Sequence, residues 1–308
     1  MPDLATTPDA LDAPESAANS PAFRPISPAR RIKNSLATVL VVLAFLIALV
    51  PLVWLLVTTI SRGARAIVSS GWWTNSLSGV LPEEFEGGVY HAIYGTLVQA
   101  LLCGILAVPI GILAAVYLVE YGRGRFAQVT SFMVDILSGV PSIVAALFIF
   151  AAFISILGAP QSGFMVSLAL VLLMLPVVVR NTEEMLRLVP DELREAAYAL
   201  GIPKWKTILR IVLPTALSGT VTGVMLALAR VMGETAPVLV LVGYARAINF
   251  DPFDGNMASL PLLIYTELSN PEPAGQLRVW GGALTLIIII MVFQLAASLI
   301  SRFSAISK

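Results

Sequence analysis

Long apolar runs separated by short polar segments dominate the chain. A helix crossing a bilayer core takes about 20 apolar residues. Six stretches reach or approach that length: Ser35–Ile60, Tyr94–Leu118, Ser131–Leu157, Phe164–Val179, Leu217–Val242 and Trp280–Ile300. The fourth is the shortest. The pattern predicts an all-α integral membrane protein with six transmembrane helices. Residues 1–29 stand apart. They are rich in Pro, Ala, Ser and Asp, lack periodicity, and read as a disordered cytoplasmic tail ahead of a membrane domain over residues 30–308. The first apolar run is too long for a signal-peptide core, so it reads as an uncleaved anchor with Arg30-Arg31 as its cytoplasmic flank.

Lys and Arg are distributed unevenly. Fourteen fall in the tail, the second and fourth connections and the C-terminus. Four (Arg62, Arg65, Arg246, Arg278) fall on the other side, and Arg230 lies within a span. Positive loops stay inside, which puts both termini and the fourth connection in the cytoplasm. The connections between spans 1 and 2 and between spans 5 and 6 are then outside. They carry Trp72, Trp73, Glu83, Glu84 and Glu86, and Phe250, Asp251, Phe253 and Asp254. They read as caps on a pathway, as a surface that receives a soluble partner, or as solvated connectors with tryptophans at the interface.

Composition agrees with the pattern. The chain is 57% hydrophobic and 12% charged, with a mean hydropathy of +0.88; soluble domains carry about 25% charged residues. Zero net charge gives no electrostatic reason for a nucleic-acid partner. The single Cys103, in an apolar stretch, forms no intrachain disulfide and reads as a packed core residue. The single His91 reads as an ordinary loop or interface histidine. Neither an H-E-x-x-H motif nor a phosphate-binding G-x-x-x-x-G-K-[ST] loop occurs, so an intramembrane protease and ATP hydrolysis by this chain are both unsupported.

The cytoplasmic connection, residues 181–214, carries more chemistry than a linker needs. Pro190-Asp191-Glu192-Leu193 opens a helix with acidic residues in its first turn, where the helix dipole favours them. Ala196, Ala197, Ala199 and Leu200 give a small apolar face. Gly201 suits the left-handed conformation that ends a helix, and Pro203 starts a second helix, Lys204–Val212. Two short helices at an angle would project into the cytoplasm.

Span 5 holds the chemistry hardest to place in lipid. Ala229-Arg-Val-Met-Gly-Glu-Thr-Ala-Pro237 puts Arg230 about 24 Å beyond Pro214 at 1.5 Å per residue, deep in the membrane. Ionisable groups there face protein or a water-filled path. Arg230 and Glu234 have the i, i+4 spacing of a helical pair. Gly233 and Pro237 loosen the helix beside them, and a broken helix at mid-membrane is a recurrent ion site. Arginine suits an oxyanion because its planar fork donates two parallel hydrogen bonds and keeps its charge. Thr235 adds a hydroxyl. Glu234 repels an anion, so it reads as a counter-charge to Arg230, as a ligand for a partner's cation, or as half of a permanent structural pair. Asp135 falls in or near span 3, and Gly219-Thr-Val-Thr-Gly223 is a small-residue motif that admits another helix.

The spacing Glu195-Ala196-Ala197, then Gly201, then Ile211, Leu213 and Pro214 resembles the EAA loop of binding-protein-dependent ABC importer permeases. Arg230 to Pro237 resembles the R-x-x-G-E-T-A-P signature of the A-type permeases of phosphate importers, and Ser138-Gly-Val-Pro-Ser-Ile-Val144 resembles the G-V-P-S-I-V element of the same subfamily. Ala145-Ala146 follow where that subfamily leads one to expect a glycine. The resemblance runs from about residue 35 to 305. It implies a type I importer permease fold, also called MetI-like, in the cytoplasmic (inner) cell membrane. It implies ATPase coupling through Glu195, Ala196, Ala197, Gly201, Leu213 and Pro214, and a substrate pathway formed by Arg230, Glu234, Thr235, Ser138 and Ser142, the two serines sharing a face of a helix kinked at Pro141. It further implies a related second permease, a dimer of ATPase subunits carrying ATP and Mg, and an extracytoplasmic phosphate-binding protein. This chain itself would bind no cofactor. Permeases for sulfate or molybdate share an R-x-x-G-E run. A proton-coupled transporter using Glu234 and Asp135 would leave the cytoplasmic loop unexplained.

Overall fold

The structure is a computed structural model that describes residues 27–306, with side chains to residue 299. Residues 1–26, most of the expected tail, lie outside the described residues. Helix α1 (Pro28–Ile67) begins two residues inside that expected tail and runs well past both ends of the first apolar stretch. The chain divides into two units, Met1–Val57 and Thr58–Lys308. The described part of the first is the body of α1, with Leu40, Phe45, Ile47 and Trp54 all exposed, as lipid-facing residues are.

In the second unit, α2 (Tyr90–Val116) continues into a π-helical turn, Tyr117–Tyr121. Next come α3 (Arg125–Ser138) and α4 (Ser142–Ile149, extended by a π turn to Ile156). The chain goes on through α5 (Gly163–Arg187), α6 (Asp191–Ala199) and α7 (Lys204–Thr207), and a π turn (Ile208–Val212) leads into α8 (Leu213–Met232). Short helices α9 (Ala236–Leu241) and α10 (Leu260–Glu267) precede α11 (Pro273–Ile306). All described elements are helical, and five helical runs are long and apolar enough to span a membrane.

The third expected span is not one helix. Gly139 to Pro141 separates α3 from α4, which meet at 106°. Pro141 removes a backbone donor and excludes the residue before it from helical geometry. The packing shows that the pair still crosses. Tyr94 near the start of α2 donates to Phe250 O (3.3 Å), and the Phe164 amide at the start of α5 donates to Pro252 O (2.7 Å). At their far ends Glu120 and Leu186 both bond Arg194 of α6. Helices α2 and α5 are therefore parallel, and α3 with α4 must return the chain between them.

The fourth span is longer than its apolar run. Helix α5 continues through Arg187, because Arg180, Glu183 and Arg187 pair along one face (2.6 and 2.7 Å) and support the polar end. Residues 181–187 thus continue the helix of the fourth span into the stretch read as the cytoplasmic loop. Gly219 and Gly223 of α8 admit α5 as expected of their motif. A Cβ at Gly223 would meet the Asn181 side chain at 1.7 Å, and one at Gly219 would meet Met185.

The core is tiered along the helices. Cys103, Met174, Val178 and Leu241 centre the middle tier, with Cys103 fully buried and its Sγ 3.6 Å from Met174 Sδ. Ala115, Val134, Leu186, Val189 and Val212 form the tier at the α6 end. Trp72, Val89, Leu260 and Leu263 form the opposite tier. That last tier corrects the picture of solvated outer connectors. Trp72 is buried, with its Nε1 donating to Thr285 Oγ1 (2.9 Å), while Trp73 is exposed. Helix α10 lies inside what reads as loop. Ser259 caps it, and the Leu260 amide donates to Thr96 Oγ1 (2.8 Å). Arg278 pairs with Glu267 (3.3 Å), both 2% exposed, and donates to the carbonyls of Leu81, Pro82 and Glu84.

Candidate functional site

The break in span 5 falls where glycine and proline predict it. Helix α8 ends at Met232 with Gly233 as its cap, residues 233–235 are non-helical, and Pro237 sits in the first turn of α9, where its missing amide costs nothing. The break moves Glu234 off the face of Arg230. The i, i+4 pair read from the spacing does not form, and neither residue has an ion pair among the described residues.

Arg230 is exposed on an α8 stripe that continues one and two turns back to Leu226 and Thr222. Its guanidinium therefore stands in an otherwise nearly apolar surface with no carboxylate beside it. Glu234 turns the other way and is half-buried. It lines a cavity of about 10 Å³, the room of one water molecule, with Thr96, Gln99, Ser259 and Pro261. Gln99 is 2% exposed, and its Nε2 has no hydrogen-bond partner. A buried donor left unmatched costs about 1–3 kcal/mol; the Glu234 carboxylate lines the same cavity but makes no hydrogen bond to it. Sequence reading missed Gln99, although a glutamine inside the apolar run of α2 is itself a signal.

Thr235 precedes α9, half-buried, with no capping bond from its side chain. Ser138 and Ser142 are not on one helical face, since the 106° bend separates them. Ser138 Oγ donates back to Asp135 O (2.7 Å), whereas Ser142 opens α4 half-buried. Ala145 and Ala146, which stand where a glycine was expected, are fully packed in the middle tier. Asp135 is solvent-exposed and paired with Arg180 (2.5 Å). His91 is not in a loop. It is the second residue of α2, buried, with Nε2 3.3 Å from the Tyr244 hydroxyl. Burial, followed by the Glu267 carboxylate, raises the Tyr244 pKa above the ordinary phenol value. A larger cleft of about 520 Å³ between α2, α8 and α11 is lined by side chains such as Leu97, Leu101, Leu228 and Phe293, and offers an anion no donor.

At the other end, α6 projects as expected. Gly201 adopts φ +72° and closes it, with its amide bonded to Tyr198 O (2.9 Å) and the Ile202 amide to Ala197 O (3.0 Å). Glu195 and Ala196 point outward, with Leu193, Tyr198, Leu200 and Trp205 also exposed, while Ala197 packs inward. The second short helix is not separate. Residues 204–232 form one run, and the π turn ahead of Pro214 shifts the register so that the Leu213 amide bonds Ile208 O, five residues back. Leu213 and Pro214 are half-buried at the base of that run. Glu120 and Arg194, which join α2 to α6, went unnoticed in the sequence because 74 residues separate them.

Residues 107–305 match the family described as binding-protein-dependent transport system inner membrane component. The chain is 69% identical over 282 residues to the phosphate transport system permease protein PstA of Mycobacterium leprae, covering 92% of each chain. It is 38% identical over 272 residues to the protein of the same name from Yersinia pestis, covering 88% of this chain and 90% of that one. Among solved structures, a bacterial ABC transporter importing the acidic polysaccharide alginate matches with a TM-score of 0.60 at 12% identity, over 88% of this chain and 96% of that one. The inward-facing MetNI methionine ABC transporter matches with a TM-score of 0.55 at 20% identity, over 70% and 94%. At these identities the solved structures speak for the fold, which is that of importer permeases.

Proposed function

The chain belongs to the binding-protein-dependent inner-membrane transport components, and from that premise we propose that it translocates inorganic phosphate. It is a multi-pass permease subunit of an ABC importer and not an enzyme. Its relatives are named for phosphate transport, and one observation in this chain supports the same ligand. Arg230 is an arginine without a counter-charge, on an otherwise nearly apolar stripe, at the end of a broken helix. A guanidinium facing lipid there would be costly, so the stripe is to be covered by a second, related permease, with Arg230 facing the path between the two. A phosphate passing the break would take two parallel hydrogen bonds from it. Thr235 and Ser142, whose hydroxyls have no partner among the described residues, would offer further contacts. Ser138, bonded to Asp135 O, is the weaker candidate. Glu234, which lines the Gln99 cavity and makes no ion pair with Arg230, leaves the arginine's charge available.

The exposed face of α6, with Glu195 and Ala196 among apolar side chains, would dock on an ATPase subunit whose dimer binds ATP and Mg. A phosphate-binding protein would deliver from the outer side, and both termini would be cytoplasmic, a reading that the distribution of Lys and Arg supports. The test is radiolabelled phosphate uptake by the four kinds of subunit reconstituted in vesicles without a proton gradient, with excess sulfate as competitor. ATP-dependent uptake that sulfate leaves unchanged is the expected result. Uptake of sulfate in place of phosphate would keep the importer and overturn the ligand. Uptake indifferent to ATP would overturn the coupling.

A further inference from the structure

Among the described residues, the polar contacts that fasten the α6 projection to the body of the protein beyond its flanking segments converge on Glu120. Arg194 stands on the inner side of α6, 13% exposed, and Glu120 at the end of α2 is 5% exposed. Arg194 Nε donates to Glu120 Oε1 (3.1 Å), Nη1 to Val189 O (2.7 Å) and to Asp191 Oδ1 (2.9 Å), and Nη2 to Leu186 O (3.0 Å). From beyond Gly201, Lys204 Nζ donates to the Glu120 carbonyl and lies 4.7 Å from the centre of the Tyr121 ring. The last turn of α2 is therefore gripped from both sides of the glycine bend. Breaking a buried ion pair leaves an uncompensated charge, so α6 is disfavoured from moving away from α2. About 32 Å along the same helix, 21 residues at 1.5 Å each, α2 carries Gln99, which lines the same small cavity as Glu234. Between the two points α2 packs closely on α5, where a Cβ at Gly111 would meet Val178 at 2.6 Å.

We propose that Glu120 is the transmission residue of the coupling loop. Clasped by Arg194 and Lys204, it makes α2 move with α6 and carries the displacement along α2 to the cavity that Gln99 and Glu234 line at the break. The inference rests on the proposed function and adds a route to it, through α2 rather than only through the helices that flank the loop in sequence. Glu120 acts through other groups and is a positioning residue.

The test uses the complete reconstituted complex. In Glu120→Gln, ATP hydrolysis is expected to continue while phosphate uptake per ATP falls about tenfold, within the usual range of coupling between sites. A purely structural role would lower assembly, hydrolysis and uptake in proportion, and that outcome overturns the proposal. Rescue gives a second reading. With Cys103→Ala as background, Glu120→Cys with Arg194→Cys is expected to be uncoupled when free, and to recover uptake per ATP once a short bifunctional thiol reagent joins the two cysteines. A crosslink that leaves uptake low shows that α6 must move independently of α2, and refutes the clasp. Should these variants fail to assemble, spin labels at the exposed residues Glu192 and Leu113 leave the clasp intact. Their separation is expected to be the same in nucleotide-free and ATP-trapped complexes, and a change beyond the width of the distribution refutes the proposal. If the unsubstituted complex moves no phosphate on ATP, the functional reading falls, while the spin-label distances still decide whether α2 and α6 move together.

Discussion

Replacing Arg278 with methionine tests how the outer surface is held. The arginine and Glu267 are each 2% exposed and 3.3 Å apart. In Arg278→Met the Glu267 carboxylate keeps one side-chain donor, Asn270 Nδ2 at 3.2 Å; Pro82 O keeps Asn270 Nδ2 and Leu81 O keeps the Glu84 amide, while the Glu84 carbonyl loses its side-chain donor. Removing one partner of a buried ion pair costs about 3–5 kcal/mol, a large part of the roughly 5–15 kcal/mol that stabilises a domain. The expected fall in melting temperature of the purified chain in detergent is about 10 °C, with proteolysis appearing first in the loop around residues 81–86. Replacing both residues with methionine removes the stranded charge, so most of the loss should return, because an apolar pair often matches a buried ionic one. A melting temperature for Arg278→Met within about 2 °C of the unsubstituted protein would refute the reasoning and show the pair to be hydrated.

Thr96→Val strands the buried Leu260 amide and should cost about 1–3 kcal/mol, read as a lower melting temperature with early proteolysis at α10. Gly223→Ala drives a methyl to within 1.7 Å of the Asn181 side chain, and about 1–3 kcal/mol of overpacking is expected in the same melting assay. Gly201→Ala forces an L side chain into φ +72°, at about 1–2 kcal/mol. Since only the α6 turn is strained, maximal ATP-driven uptake should drop with the apparent affinity for phosphate unchanged.

Local signals carried far in this chain. Apolar length located the spans, Gly201 marked the end of α6, and Gly233 with Pro237 marked the broken helix. Each depends on a residue whose own backbone chemistry decides the outcome. Less legible were features set by partners distant in sequence. Pro141 announces a kink, but no neighbouring residue encodes its angle of 106°. The Arg230–Glu234 spacing suggested a pair because it presumed an unbroken helix, and the same glycine and proline that signal the break separate the two side chains. Helix α10 was hidden by its eight-residue length, although Ser259 ahead of Leu260-Pro261 is a start signal. The Glu120–Arg194 and Trp72–Thr285 contacts join residues 74 and 213 positions apart, and nothing in either local sequence names the other partner.

The central claim is that phosphate crosses beside the unpaired arginine at the break in span 5. The most direct measurement is phosphate uptake by the reconstituted complex carrying Arg230→Ala, alongside the amount of complex assembled and the rate of ATP hydrolysis. Arg230 is exposed and stabilises no carboxylate among the described residues, so assembly should change by no more than about 0.5 kcal/mol. Loss of a charge-assisted bidentate contact worth about 1.5–3 kcal/mol for each hydrogen bond should cut uptake at least tenfold, with hydrolysis retained. Uptake at the unsubstituted rate in a fully assembled Arg230→Ala complex would contradict the account.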